Sequence, residues 1–174
     1  MNSEISLESK ECKNWYIFYT CPRAEKKVYQ DLISRNYDVF LPMLKKSRCW
    51  KNRQKKIIHT PLFPSYIFVN TILSEVYKIC KFPKIATYIR CGDSPSRIPI
   101  KDIESVRKML SLEIEVNVEP AYYNGELVKI ITGPLAGLEG KLLNQKGLTR
   151  FGIELKEINY IVTVDIRDNI VCKI

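Results

Sequence analysis

Six of the seven glycines fall between Gly125 and Gly152, and that crowding divides the chain. A residue without Cβ serves tight corners and left-handed backbone. A glycine-rich window therefore predicts short strands joined by turns. Apolar, β-branched runs stand at Leu127–Ile131, Gly140–Asn144, Gly152–Leu155 and Ile158–Ile166, with corners at Gly133-Pro134 and Lys146-Gly147. Such spacing predicts a small β-barrel. Gly133, Gly137 and Gly140 are expected to supply tight corners or positive φ in the loop after the first of these strands, and with Gly125 they read as structural.

Upstream, strands and helices alternate. Residues 14–20 form an aromatic and β-branched strand with Trp15, Ile17 and Tyr19 on one face. From Arg23 to Asn36 the apolar positions Ala24, Val28 and Leu32 recur at helical spacing. A second apolar run, Asp38–Leu44, contains Pro42, which places it at an edge or strand end. Ser65–Asn70 is a strand with Tyr66 and Phe68 on one face and Ile67 and Val69 on the other. Both faces are apolar, so the strand is either fully buried or has one side covered by a partner. Helices are predicted over Thr71–Phe82 and Ile100–Leu112, and a strand over Ala86–Arg90. The fold class is α+β: an N-terminal α/β sandwich whose mainly antiparallel sheet is flanked by helices, plus the small barrel. The expected organisation is a flexible tail 1–13, a first domain 14–112, a linker 113–123 with acids and no clear period, and a second domain 124–174.

The net charge of +9 is uneven. Residues 14–60 hold eleven Lys/Arg against three acids, while residues 121–174 hold seven against six. Within the basic third, Lys45–Lys56 carries seven cations in twelve positions and no acid. This concentration points to a local anionic partner. The cations Lys45, Lys46, Arg48, Lys51, Arg53, Lys55 and Lys56 release counterions on meeting phosphate, and Trp50 among them offers a stacking surface for a base. About four to six phosphate contacts correspond to a log–log salt slope of roughly −4 to −5. Arg23, Lys26, Lys27 and Arg35, on the polar side of the first helix, form a second candidate surface for a DNA strand.

Other classes fit poorly. The six cysteines include no CxxC pair and read as reduced thiols of a cytoplasmic protein. No apolar run approaches the ~18–20 residues needed to cross a bilayer. His59 is the single histidine, no cluster has metal-ligand spacing, and Gly133–Gly137 lacks the Lys-Ser/Thr of a phosphate loop. A non-enzyme without cofactor or metal, working as a monomer, is expected.

Three motifs together carry a family resemblance: Trp15-Tyr16 opening a strand, the helix Pro22-Arg23-Ala24-Glu25-Lys26-Lys27-Val28, and Pro61-Leu62-Phe63-Pro64-Ser65-Tyr66-Ile67-Phe68-Val69. They resemble the N-terminal domain of NusG-type transcription factors. Gly125–Ile130 with Gly133-Pro134, Gly137 and Gly140 resembles a KOW module, an SH3-like barrel. The basic segment and Pro61–Pro64 look more like specialised paralogues of the RfaH and UpxY types, which accompany surface-polysaccharide operons, than a housekeeping member.

The resemblance implies an N-terminal domain that binds the clamp helices of RNA polymerase and reduces pausing. It also implies contact with non-template or upstream DNA, and a KOW domain that recruits a ribosomal protein or termination factor. Carried over by motif, Tyr19, Phe63, Tyr66 and Phe68 are the expected polymerase contacts; their alternative is a core role. RfaH-type KOW modules also fold as helical hairpins, whereas the Gly- and Ile/Val-rich composition here favours a constitutive barrel. A ribosomal or other RNA-binding KOW protein is the rival reading, which leaves Leu62-Phe63 and its aromatic companions without a purpose.

Overall fold

The computed structural model describes residues 12–49, 55–112, 114–121, 125–145, 148–166 and 171–174. The chain runs β1 (Asn14–Thr20), α1 (Glu25–Ile33), β2 (Asp38–Phe40), β3 (Met43–Cys49), β4 (Lys55–Pro61), β5 (Tyr66–Thr71), α2 (Leu73–Ile79) and β6 (Ile85–Tyr88). There follow β7 (Arg90–Cys91), β8 (Ser94–Pro95), β9 (Arg97–Ile98), α3 (Ile100–Ser111), β10 (Val116–Pro120), β11 (Glu126–Ile130) and β12 (Glu139–Gln145). The chain closes with β13 (Leu148–Leu155), a 3-10 turn (Lys156–Ile158), β14 (Tyr160–Asp165) and β15 (Val171–Lys173).

The first sheet has the order β2-β5-β1-β6, with β9 also paired to β1. Its central pair is antiparallel, with Tyr19 opposite Tyr66, Ile17 opposite Phe68 and Phe18 opposite Ile67. Because side chains alternate across a sheet, one face carries Tyr16, Phe18, Ile67 and Val69. It is buried against Val28 and Leu32 of α1 and Val76 and Ile79 of α2. The other face carries Trp15, Ile17 and Phe68, and α3 covers part of it through Ile103, Val106 and Met109. Arg107 of α3 lays its guanidinium over both Trp15 (5.1 Å) and Phe40 (4.8 Å). Both faces of β5 are covered, as its double apolar pattern required.

The second sheet is antiparallel, ordered β10-β14-β13-β12-β11-β15. Its inner residues, among them Val128, Ile130, Phe151, Ile153 and Val162, are almost fully buried. Apart from the 3-10 turn Lys156–Ile158, the described residues of this unit form strands and connections, and none of them forms a helical hairpin. Segment 113–123, read above as a linker, contributes β10 instead: Val116 pairs with Val164 and Val118 with Val162. Arg150 reinforces this edge, bonding Glu119 of β10 at 2.6 Å and Asp165 of β14 at 3.0 Å.

The glycines divide by mechanism. Gly133 and Gly137 have φ of +83° and +89°, the left-handed backbone expected of corners. Gly140 differs: it lies inside β12, where an added Cβ would fall 2.7 Å from the Phe151 ring. An added Cβ at Gly125 would likewise fall 2.8 Å from the Leu143 side chain. The corner at Lys146-Gly147 lies outside the described residues.

The two units share one apolar core, in which Phe63, Phe68 and Trp15 join Val128, Phe151 and Ile158. Lys108 of α3 adds a polar tie, donating to the Ala136 carbonyl at 2.7 Å.

Candidate functional site

The segment joining β4 to β5 places the key aromatic. Tyr66 donates its N–H to the Phe63 carbonyl at 3.3 Å, and Ser65 has φ +66°. Pro64 and Ser65 thus occupy the central positions of a type II-like turn, where proline comes first and a positive φ second. A non-glycine residue in that conformation is strained, and it is held from outside. The buried carboxylate of Glu25 accepts the Ser65 N–H at 2.8 Å, and the Thr20 N–H donates to the Ser65 carbonyl at 2.8 Å. Glu25 was legible only as an acid in a basic segment, since its partner lies on a distant turn. The first helix and the Phe63 turn are therefore one rigid piece.

Tyr19, Tyr66 and Phe63 meet on one side of this piece. The Tyr19 and Tyr66 rings are edge-on at 5.3 Å. Phe63 stands edge-on to Phe68 at 5.9 Å. Exposure separates the four: Tyr19 is 37% exposed, Tyr66 half-buried, and Phe63 and Phe68 are 1% and 0% exposed. Phe68 is a core residue beneath the patch. Phe63 is buried between the two units, with Phe68 on one side and Tyr160 of β14 packed on it at 5.9 Å; Tyr160 also meets Tyr66 at 6.5 Å. Burial pushes the Tyr66 phenol up, with Tyr160 and then Tyr19 adding to the shift.

The same interface holds a carboxylate in an unfavourable place. Asp102 of α3 has its carboxyl pushed above the ordinary range by burial first; Lys101 opposes the shift, Glu157 of the second unit adds to it, and Lys156 opposes it. Glu157 Oε2 is buried and makes no hydrogen bond with the protein. Parting the units is expected to re-expose the Asp102 carboxyl to water and to bring its pKa down toward the ordinary range. The docked form thus binds more protons. Its Asp102 contribution is fully present below the ordinary aspartate pKa and is lost as pH rises through the raised value. Docking is expected to loosen with rising pH across that window, and Asp102→Asn to flatten the response, as read by the intensity of fluorescence transfer between labels on the two units.

The basic set splits as well. β3 and β4 form a separate two-stranded arm, with Lys45 opposite His59, Arg48 opposite Lys56 and Cys49 opposite Lys55. Lys45 and Lys46 are exposed, and they border an open groove of about 790 Å³ between the arm's base and residues 110–117. Trp50, Lys51 and Arg53 lie outside the described residues. The structure brings α1 to this arm: Lys26 Nζ donates to the His59 carbonyl at 2.8 Å. Arg23 and Lys27 are exposed near the same end of α1, so they join the arm's cations. Arg35 does not. It lies beyond the far end of the nine-residue helix, about 13 Å long, and stacks over Phe82 at 4.7 Å.

Among the described residues Cys12, Cys21, Cys80, Cys91 and Cys172 are free thiols, and no helix is long and apolar enough to cross a membrane.

Comparison with known proteins supplies a context for this geometry. The family described as "Transcription termination factor nusG" matches residues 13–107. The transcription termination/antitermination protein NusG of Halalkalibacterium halodurans is 22% identical over 144 residues, covering 75% of this chain and 80% of the relative. That of Borreliella burgdorferi is 28% identical over 147 residues, covering 72% and 79%. A solved structure concerned with domain interaction in Thermotoga maritima NusG superposes with a TM-score of 0.52 at 21% identity, covering 93% of this chain and 97% of the other. At that identity the likeness speaks for the fold.

Proposed function

Since the chain belongs to the NusG family of transcription termination and antitermination factors, we propose that it binds the clamp helices of RNA polymerase through Tyr19, Phe63 and Tyr66 and suppresses pausing or termination. The observation that carries this reading is the aromatic patch itself. Aromatic side chains dominate interface hot spots because they bury large areas with few rotatable bonds. Here the patch already serves as an interface, toward Tyr160. Polymerase and the second unit therefore compete for one surface, and the docked form is the inactive one. Released, the second unit recruits a ribosomal protein or termination factor.

Specialised action at particular operons, such as surface-polysaccharide clusters, is favoured over general housekeeping action. A factor whose contact face is covered needs that face released at its site of action, which a site-specific trigger would supply. A reconstituted elongation complex tests this. Pausing and read-through should change on a template carrying the cognate leader and stay unchanged on unrelated templates; an equal effect on all templates supports a housekeeping role. Sedimentation with ribosomal subunits alone would overturn the polymerase reading.

In the bound state the arm and the Arg23, Lys26 and Lys27 end of α1 face upstream or non-template DNA. Phosphate contacts position the factor without reading sequence. Reversing Lys45 and Lys46 to glutamate is expected to flatten the log–log salt slope of DNA retention by about 2, at roughly 0.9 per phosphate contact. A salt titration of the ternary complex checks it.

A further inference from the structure

The groove at the base of the arm meets two strands along their edges. Met43, Leu44, Lys45 and Lys46 of β3 all line it, and so do Ile114, Glu115, Val116 and Asn117, the last two opening β10. Side chains alternate across a strand, so a space that borders four consecutive residues faces the edge. Each of these strands has a single partner, β4 for β3 and β14 for β10. In an antiparallel pair, residues that exchange hydrogen bonds alternate with residues whose N–H and C=O point away from the partner. Leu62 donates to the Pro42 carbonyl at 2.8 Å, and Pro61, which has no N–H, stands opposite Met43. Met43 and Lys45 therefore turn their backbone groups away from β4. On β10, Ala121 donates to the Asn159 carbonyl at 3.0 Å and Pro120 stands opposite Tyr160, which turns Val116 away from β14. Among the described residues no backbone hydrogen bond reaches these outward groups.

Lysine often guards an open edge against unwanted pairing, and Lys45 and Lys46 suit that use. The floor beside them does not. Leu44, Leu110 and Leu112 are only partly buried, and Ile114 is 40% exposed. No carboxylate pairs with Lys45 or Lys46 among the described residues, and Glu115 is the one acid in the lining. The volume falls within the roughly 300–1,000 Å³ of ligand-binding clefts. Outward backbone groups, an apolar floor and a cationic rim are satisfied together by an extended peptide of alternating apolar and acidic residues. Its main chain adds to the strand edge, its apolar side chains take the floor and its carboxylates meet the lysines. Nucleic acid would use the lysines alone.

We propose that the groove between β3 and β10 takes an extended acidic and apolar peptide of a partner protein. The peptide adds as a strand to β3 through the backbone of Met43 and Lys45, and Lys45 and Lys46 hold its carboxylates. The groove's lining shares no residue with the Tyr19, Phe63 and Tyr66 patch, so this site stands or falls apart from the polymerase reading.

The test is fluorescence anisotropy with the full chain and a labelled peptide of about eight residues that alternates glutamate with valine. Its lysine-for-glutamate counterpart is expected to bind about tenfold or more weakly. Two further forms, N-methylated at the glutamates or at the valines, each block one edge of the peptide. At least one of them should lose about tenfold or more. Lys45→Pro removes an outward N–H without touching the β4 ladder, and should bind about threefold or more weaker than Lys45→Ala, which loses the charge but keeps the N–H. Four results would overturn the site: no binding of the acidic peptide by the parent, equal binding of the lysine peptide, both N-methylated forms binding like the unmodified one, or Lys45→Pro matching Lys45→Ala. Circular dichroism guards the proline variant. If proline distorts the arm, the N-methylated peptides supply the reading, since they leave the protein unchanged.

Discussion

Tyr160→Ala is expected to raise the affinity of this protein for RNA polymerase by about tenfold or more. Tyr160 makes two ring contacts across the interface, to Phe63 and Tyr66. Each such contact contributes about 0.5–1.5 kcal/mol beyond the area it buries, so their joint loss weakens docking by roughly 2 kcal/mol. Polymerase sees only the undocked fraction, and its apparent dissociation constant is the intrinsic one divided by that fraction. Weakening the docked state therefore raises affinity until undocked protein predominates. Phe63→Ala breaks the same contact and should have the opposite outcome, because it removes the anchor as well as the cover. Titration of both variants against core polymerase or its isolated clamp helices distinguishes a shared surface from a merely structural contact.

Gly140→Ala is expected to unfold the second unit at temperatures where the parent is stable. Its Cβ would enter the Phe151 ring, 2.7 Å from Cζ, and Phe151 is fully buried. Overpacking of this kind costs about 1–3 kcal/mol and sometimes more. A unit of about fifty residues has only a few kcal/mol to lose, at roughly 0.05–0.15 kcal/mol per residue. Gly152→Ala should behave alike, since its Cβ would lie 2.6 Å from Ile161. Gly137→Ala should do less: nothing lies within 4 Å of its Cβ, and only the positive φ opposes it. Thermal melts followed by circular dichroism rank the three. Unfolding the second unit also removes the cover from Phe63, so Gly140→Ala should bind polymerase more tightly than the parent even as it melts earlier.

Much of this was legible in the residues, and what was not has a physical cause. The alternation in Trp15–Tyr19 and Tyr66–Val69 set the two faces of the sheet correctly, because side-chain direction in a strand is local. The same pattern required a cover on both faces of β5 without saying what it is. On one face that cover is α1 and α2; on the other it is α3 and, beyond it, Tyr160, whose encounter with Phe63 leaves no trace in either neighbourhood. β10 was hidden differently: Val116 and Val118 alternate as a strand should, but acids on both sides and Pro120 mask the period. Gly140 was recognised as structural for the wrong reason, since close approach to Phe151 depends on strand pairing rather than on its own turn. The cations of α1 looked like one face, yet only the end near Arg23 reaches the arm, through Lys26.

Hydroxyl-radical footprinting of the aromatic side chains, in the free protein and on a reconstituted elongation complex, addresses the shared surface most directly. In the free protein Phe63 should be protected and Tyr160 partly so. On polymerase Tyr160 should become reactive while Phe63 and Tyr66 remain protected, having exchanged one partner for the other. Tyr160 staying as protected on polymerase as it is in the free chain would contradict the competition between the two partners.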